Sequence, residues 1–264
     1  ISQKPADFVR QKLPSMYEQF IKLADIDITK EPMEVGPTTH YVMGGIRVDG
    51  DTQMSTLPGL FAAGECGAGL HGANRLGGNS LSDLLVFGMR AGKFAAEYAG
   101  RQATPRADTQ QADEIVRLAL EPFNRTGSSE GPYQVEHDLQ TMMQELVGIV
   151  RREEEIRRAI EGLTALNERA RKVSVTGNRE YNPGWHTALD LQNLLTVAEI
   201  VARAALERKE SRGGHFRDDY PEKDPNFGKF NIVIRRGPNG DAQLARETIP
   251  EMPEHLKRVI EENK

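Results

Sequence analysis

Cysteine is almost missing from this sequence. Cys66 stands alone among 264 residues, which excludes a disulfide framework and any thiolate-held zinc or iron–sulfur cluster built from this chain's own residues. A reducing compartment is the matching expectation. Long hydrophobic runs are missing too: mean hydropathy is −0.55, and no run of about 18 apolar residues offers a membrane span. Nor is there an excess of positive charge. Lysine and arginine number 34 against 39 aspartates and glutamates, a formal charge of −5, so nucleic acid is not the expected partner. Internal repeats and low-complexity tracts are absent. Residue 1 is isoleucine, and residues 1–10 (ISQKPADFVR) lack the apolar core of a signal peptide. The chain therefore reads as cut from something longer.

What is present changes texture along the chain. Residues 1–35 suggest short helices at 6–12 and 15–24, broken by Pro5, Pro14 and Pro32. Residues 38–100 alternate glycine-rich turns with apolar runs, and residues 101–111 (RQATPRADTQQ) read as a polar linker. From 112 to about 210 the pattern is helical. Ile156, Ile160, Leu163, Leu166, Ala170 and Val173 recur three or four apart, and a further helix over 187–209 carries Leu191, Leu194, Leu195, Ala198, Val201, Ala202 and Ala205 before Gly213–Gly214. Turn chemistry interrupts at 126–132 and 176–184, so a three-helix bundle is expected. The charged run 151–158 (RREEEIRR) reads as a solvated helix face with i,i+4 pairs. Two strand-like runs, 230–235 and 243–248, flank GPNG at 237–240 and predict a hairpin.

Residues 57–92, LPGLFAAGECGAGLHGANRLGGNSLSDLLVFGMRAG, carry the most chemistry. A turn at Pro58–Gly59 precedes an expected short buried strand over 60–63. Six glycines follow between Gly64 and Gly78, enough to let backbone approach a ligand closely. Ser80, with Asp83 three residues on, has the form of a capping box opening a helix to about Tyr98. The free N–H groups of that helix start would suit an anionic or electron-rich ligand. Residues 67–72 satisfy G-x-G-x-x-G literally, but the helix begins eight residues further on, so a dinucleotide phosphate loop is not expected there. Read by itself, Arg75 would end in a surface ion pair, Glu65 would be a strand-end carboxylate, and Cys66 a small buried filler. His40, in HYVMGG at 40–45, would by itself be structural; so would His71.

Taken together, HYVMGG, PGLFAAGE, HGANRLGGNSL with FGMRAG, and ERKESRGGHFRDDYP at 207–221 closely resemble the flavoprotein subunit of succinate dehydrogenase and fumarate reductase. The resemblance implies an α/β flavin-domain segment followed by an α-helical bundle and a small C-terminal α+β region with a hairpin. The implied divisions are the end of a capping region at 1–36, the C-terminal segment of an FAD-binding domain at 37–100, the bundle at 101–210 and a C-terminal domain at 211–264. It implies FAD as cofactor, with only half of its site in this chain. It also implies that His40 and Arg75 bind the dicarboxylate, that Glu65 hydrogen-bonds FAD, that Gly44 and Gly45 lie against the flavin, and that Asn79, Ser80 and Leu81 contact its pyrimidine side. No metal site is implied, and the family's proton-transfer arginine would lie upstream. Arg212, His215 and Arg217 would face an iron–sulfur subunit or brace the flavin domain.

Met89 stands where the family usually has a basic residue, and Gly214 where it usually has alanine. Expected partners are iron–sulfur and membrane-anchor subunits, with succinate or fumarate as substrate, at the cytoplasmic face of a bacterial membrane. The piece alone is expected to be inactive. An L-aspartate oxidase shares part of this texture, and a non-catalytic docking module is the reading from another class.

Overall fold

The computed structural model of the chain describes residues 3–34, 36, 38–126 and 130–263. It divides into two compact units, residues 1–39 and 40–264. The first holds helices α1 (Ala6–Lys12) and α2 (Pro14–Ala24). Pro14 occupies the first turn of α2, where its missing N–H has no helical partner to lose. Asp25 adopts a left-handed conformation (φ 56°) and closes the helix.

The second unit opens with backbone that crosses itself through single bridges. Ile46 pairs with Gly67 in parallel fashion, and Val48–Ser55 and Met54–Phe61 pair antiparallel. The strand expected over 60–63 is therefore a single bridge at Phe61: Ala62 is buried but Leu60 is largely exposed. Helix α3 then runs Asn79–Arg101, three residues beyond its expected end. Its N-cap is Gly78, left-handed at φ 83°, and no side chain caps it. The capping box is thus replaced by a glycine turn, which leaves Ser80 inside the first turn and turns Asp83 inward to burial.

The linker shortens to residues 102–108, because Asp108 accepts from the N–H groups of Gln110 and Gln111 and starts α4 (Thr109–Asn124). The bundle consists of α5 (Pro132–Leu146), α6 (Glu153–Ala170) and α7 (Pro183–Glu207). Its core is continuous and apolar: Val135, Ile156, Leu163, Leu191 and Leu195 are fully buried. The predicted stripe on α6 is this core face, with Ile160 partly buried at its edge. Helix α4 joins through Trp185, whose indole Nε1–H donates to the Ala119 carbonyl at 2.7 Å. Of the turn expected at 126–132, residues 127–129 lie outside the described residues.

The charged run 151–158 is a largely solvated helix face from Glu153 onward, as expected, but its first two residues are not helical. Val150–Arg151 forms a short strand, β1, parallel to β2 (Phe216–Arg217), so the run starts as a junction. Arg152 pairs with Asp218 at 2.6 Å, and Asp219 accepts from the Glu153 N–H at 2.8 Å, capping α6 from 66 residues away. The i,i+4 pair survives as Arg157–Glu153 at 2.7 Å. The hairpin forms as expected, β3 (Phe230–Arg236) antiparallel to β4 (Ala242–Thr248), and a short helix, α8 (Glu254–Glu262), follows.

Candidate functional site

Two segments that lie apart in sequence form the site: residues 40–48 and the glycine loop 64–78 that runs into α3. Backbone ties them. The Ile46 N–H donates to the Cys66 carbonyl at 2.8 Å, and the Ala68 N–H to the Ile46 carbonyl at 2.9 Å. Gly45 lies directly against this crossing, where an added Cβ would collide with the Cys66 carbonyl oxygen. Glu65 accepts from the Val42 N–H at 2.9 Å, which fixes the carboxylate beside the 40–45 segment. Cys66, expected to be buried, is exposed, its thiol donating to the Ala63 carbonyl at 3.2 Å. The turn of 3-10 helix at Gly64–Cys66 directs that side chain outward.

Arg75 does not take the ion pair that its position alone suggested. No carboxylate pairs with it among the described residues. Its guanidinium lies 4.5 Å from the centroid of the Tyr41 ring, Nη1 donates to the Leu76 carbonyl at 3.3 Å, and Nε is buried without a hydrogen-bond partner. A buried guanidinium N–H left unpaired is costly unless something else accepts from it.

Tyr41 is the piece that sequence reasoning missed. Its phenol donates to Asp83 at 3.4 Å, its ring meets His71 edge-on at 5.6 Å, and its face supports Arg75. Burial pushes the phenol above its usual pKa, a hydrogen bond with Ser80 working against that rise. The first turn of α3 is thereby joined to the residue that follows His40. His40 itself is exposed, as are Asn79 and Leu81. Gly44 and the loop glycines Gly69, Gly72, Gly77 and Gly78 have open space where a side chain would project.

The loop is braced from behind. Gly213, at φ 60°, packs so closely on Ala73 that a Cβ would strike its carbonyl oxygen, and the Gly214 N–H donates to that oxygen at 3.0 Å. Arg212, His215 and Arg217 belong to this brace. Arg217 is fully buried, pairs with Asp219 at 2.7 Å and donates to the Ala205 carbonyl at the end of α7 at 2.9 Å. That ion pair holds the Asp219 carboxyl down at about 2. Arg212 and Arg208 both bind the buried Glu210 at 2.8 Å. His215 sits between the Arg151 guanidinium at 2.9 Å and the Arg208 carbonyl at 3.1 Å, and burial lowers its pKa to about 4. It is neutral at physiological pH, with Nε2–H the donor and Nδ1 the acceptor from arginine.

An open cavity of about 760 Å³, lined by Phe123, Val175 and residues 176–180, shares no residue with this site. Among the described residues no group of acidic, histidine or cysteine side chains could hold a metal ion, and no helix is long and apolar enough to cross a membrane.

Residues 136–259 match the family model "Fumarate reductase flavoprotein C-term", and residues 1–81 match "FAD binding domain". The succinate dehydrogenase flavoprotein subunit of Coxiella burnetii is 36% identical over 241 residues, covering 87% of this chain and 41% of that protein. Among solved structures, Mycobacterium smegmatis Sdh1 in complex with UQ1 matches with a TM-score of 0.86 at 50% identity, covering 97% of this chain and 44% of the other. A variant of Escherichia coli quinol fumarate reductase FrdA matches with a TM-score of 0.87 at 33% identity, covering 96% and 44%. The chain thus spans less than half the length of the relatives it matches. FAD is the cofactor to which these matches point, and the site fits it: the glycines leave an open cradle, and no side chain caps the first turn of α3. With its helical bundle, glycine loop and paired motifs, the chain belongs to the family of succinate dehydrogenase and fumarate reductase flavoproteins.

Proposed function

We propose that this chain is the C-terminal part of an FAD-carrying subunit that interconverts succinate and fumarate. Residues 1–36 end a capping region, 37–100 complete the FAD-binding domain, 101–210 are the bundle and 211–264 the C-terminal domain. The observation that carries the reading is the Arg75 guanidinium, held on Tyr41 beside His40 with no carboxylate partner among the described residues. A dicarboxylate supplies what it lacks: two oxygens that accept from a planar guanidinium fork. His40, exposed at the start of the same segment, donates to that substrate.

Gly44 and Gly45 form the surface against which the flavin lies, Glu65 hydrogen-bonds it, and Asn79, Ser80 and Leu81 meet its pyrimidine side. Bound FAD supplies the two-electron acceptor for hydride transfer. The chain's own contributions are positional and electrostatic. The positive end of α3 favours negative charge at its first turn, and Arg75 and His40 hold the dicarboxylate in one orientation. Proton transfer is assigned to an arginine outside this chain, so these residues alone are inactive.

Electrons pass to an iron–sulfur subunit, as the family resemblance implies. Membrane attachment is peripheral, through anchor subunits at the cytoplasmic face of a bacterial membrane. The quinone ligand named for the mycobacterial structure supports that reading.

The test is Arg75→Ala in a relative-length flavoprotein carrying this chain. It should raise KM for the dicarboxylate and lower kcat together. An unchanged kcat/KM would remove Arg75 from the substrate site.

A further inference from the structure

Asp83 has no part in the function just described, yet it is a carboxylate buried one turn into α3, with 4% of its side chain exposed. A buried carboxylate persists only where hydrogen bonds hold it. Its Oδ2 accepts from two groups, the Tyr41 phenol at 3.4 Å and His71 Nε2 at 3.3 Å. The same two rings touch each other edge-to-face at 5.6 Å. Tyr41 is thus clamped at its hydroxyl by Asp83 and along its edge by His71. Its open face carries the Arg75 guanidinium at 4.5 Å.

We propose that Asp83 is the positioning residue of the dicarboxylate grip: it locks the Tyr41 ring as a platform that aims Arg75. This rests on the reading that Arg75 and His40 bind the dicarboxylate. The physics runs in one direction. A phenol that donates to a carboxylate pushes electron density into its ring, and a guanidinium is held more firmly over a more electron-rich face. Without the carboxylate the ring is free to rotate about χ1, and the guanidinium loses both its seat and its aim. His71 acts as the side wall that limits that rotation.

The experiment is a mutant cycle in the relative-length flavoprotein, reading succinate or fumarate KM, kcat and FAD content. Asp83→Ala should raise KM about tenfold, the size expected for a desolvated cation–π contact, with FAD content unchanged. Asp83→Glu should recover part of the loss. In an Arg75→Ala background, Asp83→Ala should add no further rise in KM, because the two act on one element.

Should Asp83→Ala fail to fold, Tyr41→Phe keeps the ring and removes the hydroxyl with its bonds to Asp83 and Ser80. It should raise KM about two- to threefold, again with no effect on top of Arg75→Ala. Effects of Asp83 and Arg75 that multiply would overturn the proposal while leaving the dicarboxylate reading intact. A lower melting temperature with unchanged KM would do the same, making Asp83 a fold residue. An unchanged kcat/KM in Arg75→Ala itself would overturn the underlying reading, and the proposal with it.

Discussion

The bundle and the glycine-loop region are built from similar residues and end in opposite states. On α7, Leu191 and Leu195 are completely buried; on α3, Leu81, Leu85 and Met89 are 70%, 76% and 72% exposed. The bundle closes a core by itself, with helix ends capped by Asn182 and, across the chain, by Asp219 and Arg217. Helix α3 has a glycine cap, an open first turn and an apolar face of a kind that marks an interaction surface. The lesson is that apolar content alone does not define a finished domain. What separates the two regions is whether polar ends and apolar faces find partners within the chain.

The largest expected effect attacks the finished side at its least replaceable residue. Arg217→Ala should destabilise the chain by about 3–5 kcal/mol, because it empties a fully buried side-chain site and leaves the α7 carbonyls without their donor; thermal unfolding measures it. Next come matched truncations that sharpen the contrast directly. Leu191→Ala should cost about 2–5 kcal/mol, whereas Leu85→Ala in the isolated chain should stay within about 0.5 kcal/mol. Equal costs in urea unfolding would erase the distinction.

A pH effect of similar order follows from His215. The unfolded chain protonates this histidine near pH 6.5 while the folded chain resists until about 4. Stability is therefore intact above pH 6.5 and lost as pH falls toward 4, by up to about 3 kcal/mol. His215→Gln should flatten that slope in unfolding titrations. Asp219, held at about 2 against an ordinary 3.8, acts in a separate window, losing its contribution only between those two values. Gly213→Ala forces alanine into a left-handed conformation and against the Ala73 carbonyl, and should cost at least about 1–3 kcal/mol in thermal unfolding.

How much of this was legible in the sequence depended on range. Helical periodicity exposed the α6 and α7 core faces, because a 3.6-residue repeat is local. The hairpin was equally plain from its alternation and GPNG turn. The motifs brought His40, Gly44, Gly45, Glu65, Arg75, Asn79, Ser80 and Leu81 into one hypothesis, and the structure brings the segments carrying them together.

Long-range partnerships were not legible. Strands β1 and β2 pair only two residues each across some 66 positions, too short for any period to show. Asp83 read as a cap because Ser80 stood three residues before it, yet Gly78 took the cap with a backbone conformation that leaves no trace in residue spacing. Tyr41 attracted no notice between His40 and the glycines, although the spacing of Tyr41, His71 and Asp83 holds no local pattern that could have flagged it. The charged run at 151–158 is a solvated helix face from Glu153 onward, with the Arg157–Glu153 pair, but composition gave no sign that its first two residues join the 216–219 segment.

The central claim is that residues 40–83 are a flavin half-site attached to a self-sufficient bundle. It is tested most directly by the visible absorbance retained after excess FAD is added and free cofactor removed, with this chain alone and with it joined to the remainder of a relative-length flavoprotein. The account predicts a folded but colourless chain and a yellow joined protein. Retained flavin bands in the chain alone, or none in either, would contradict it.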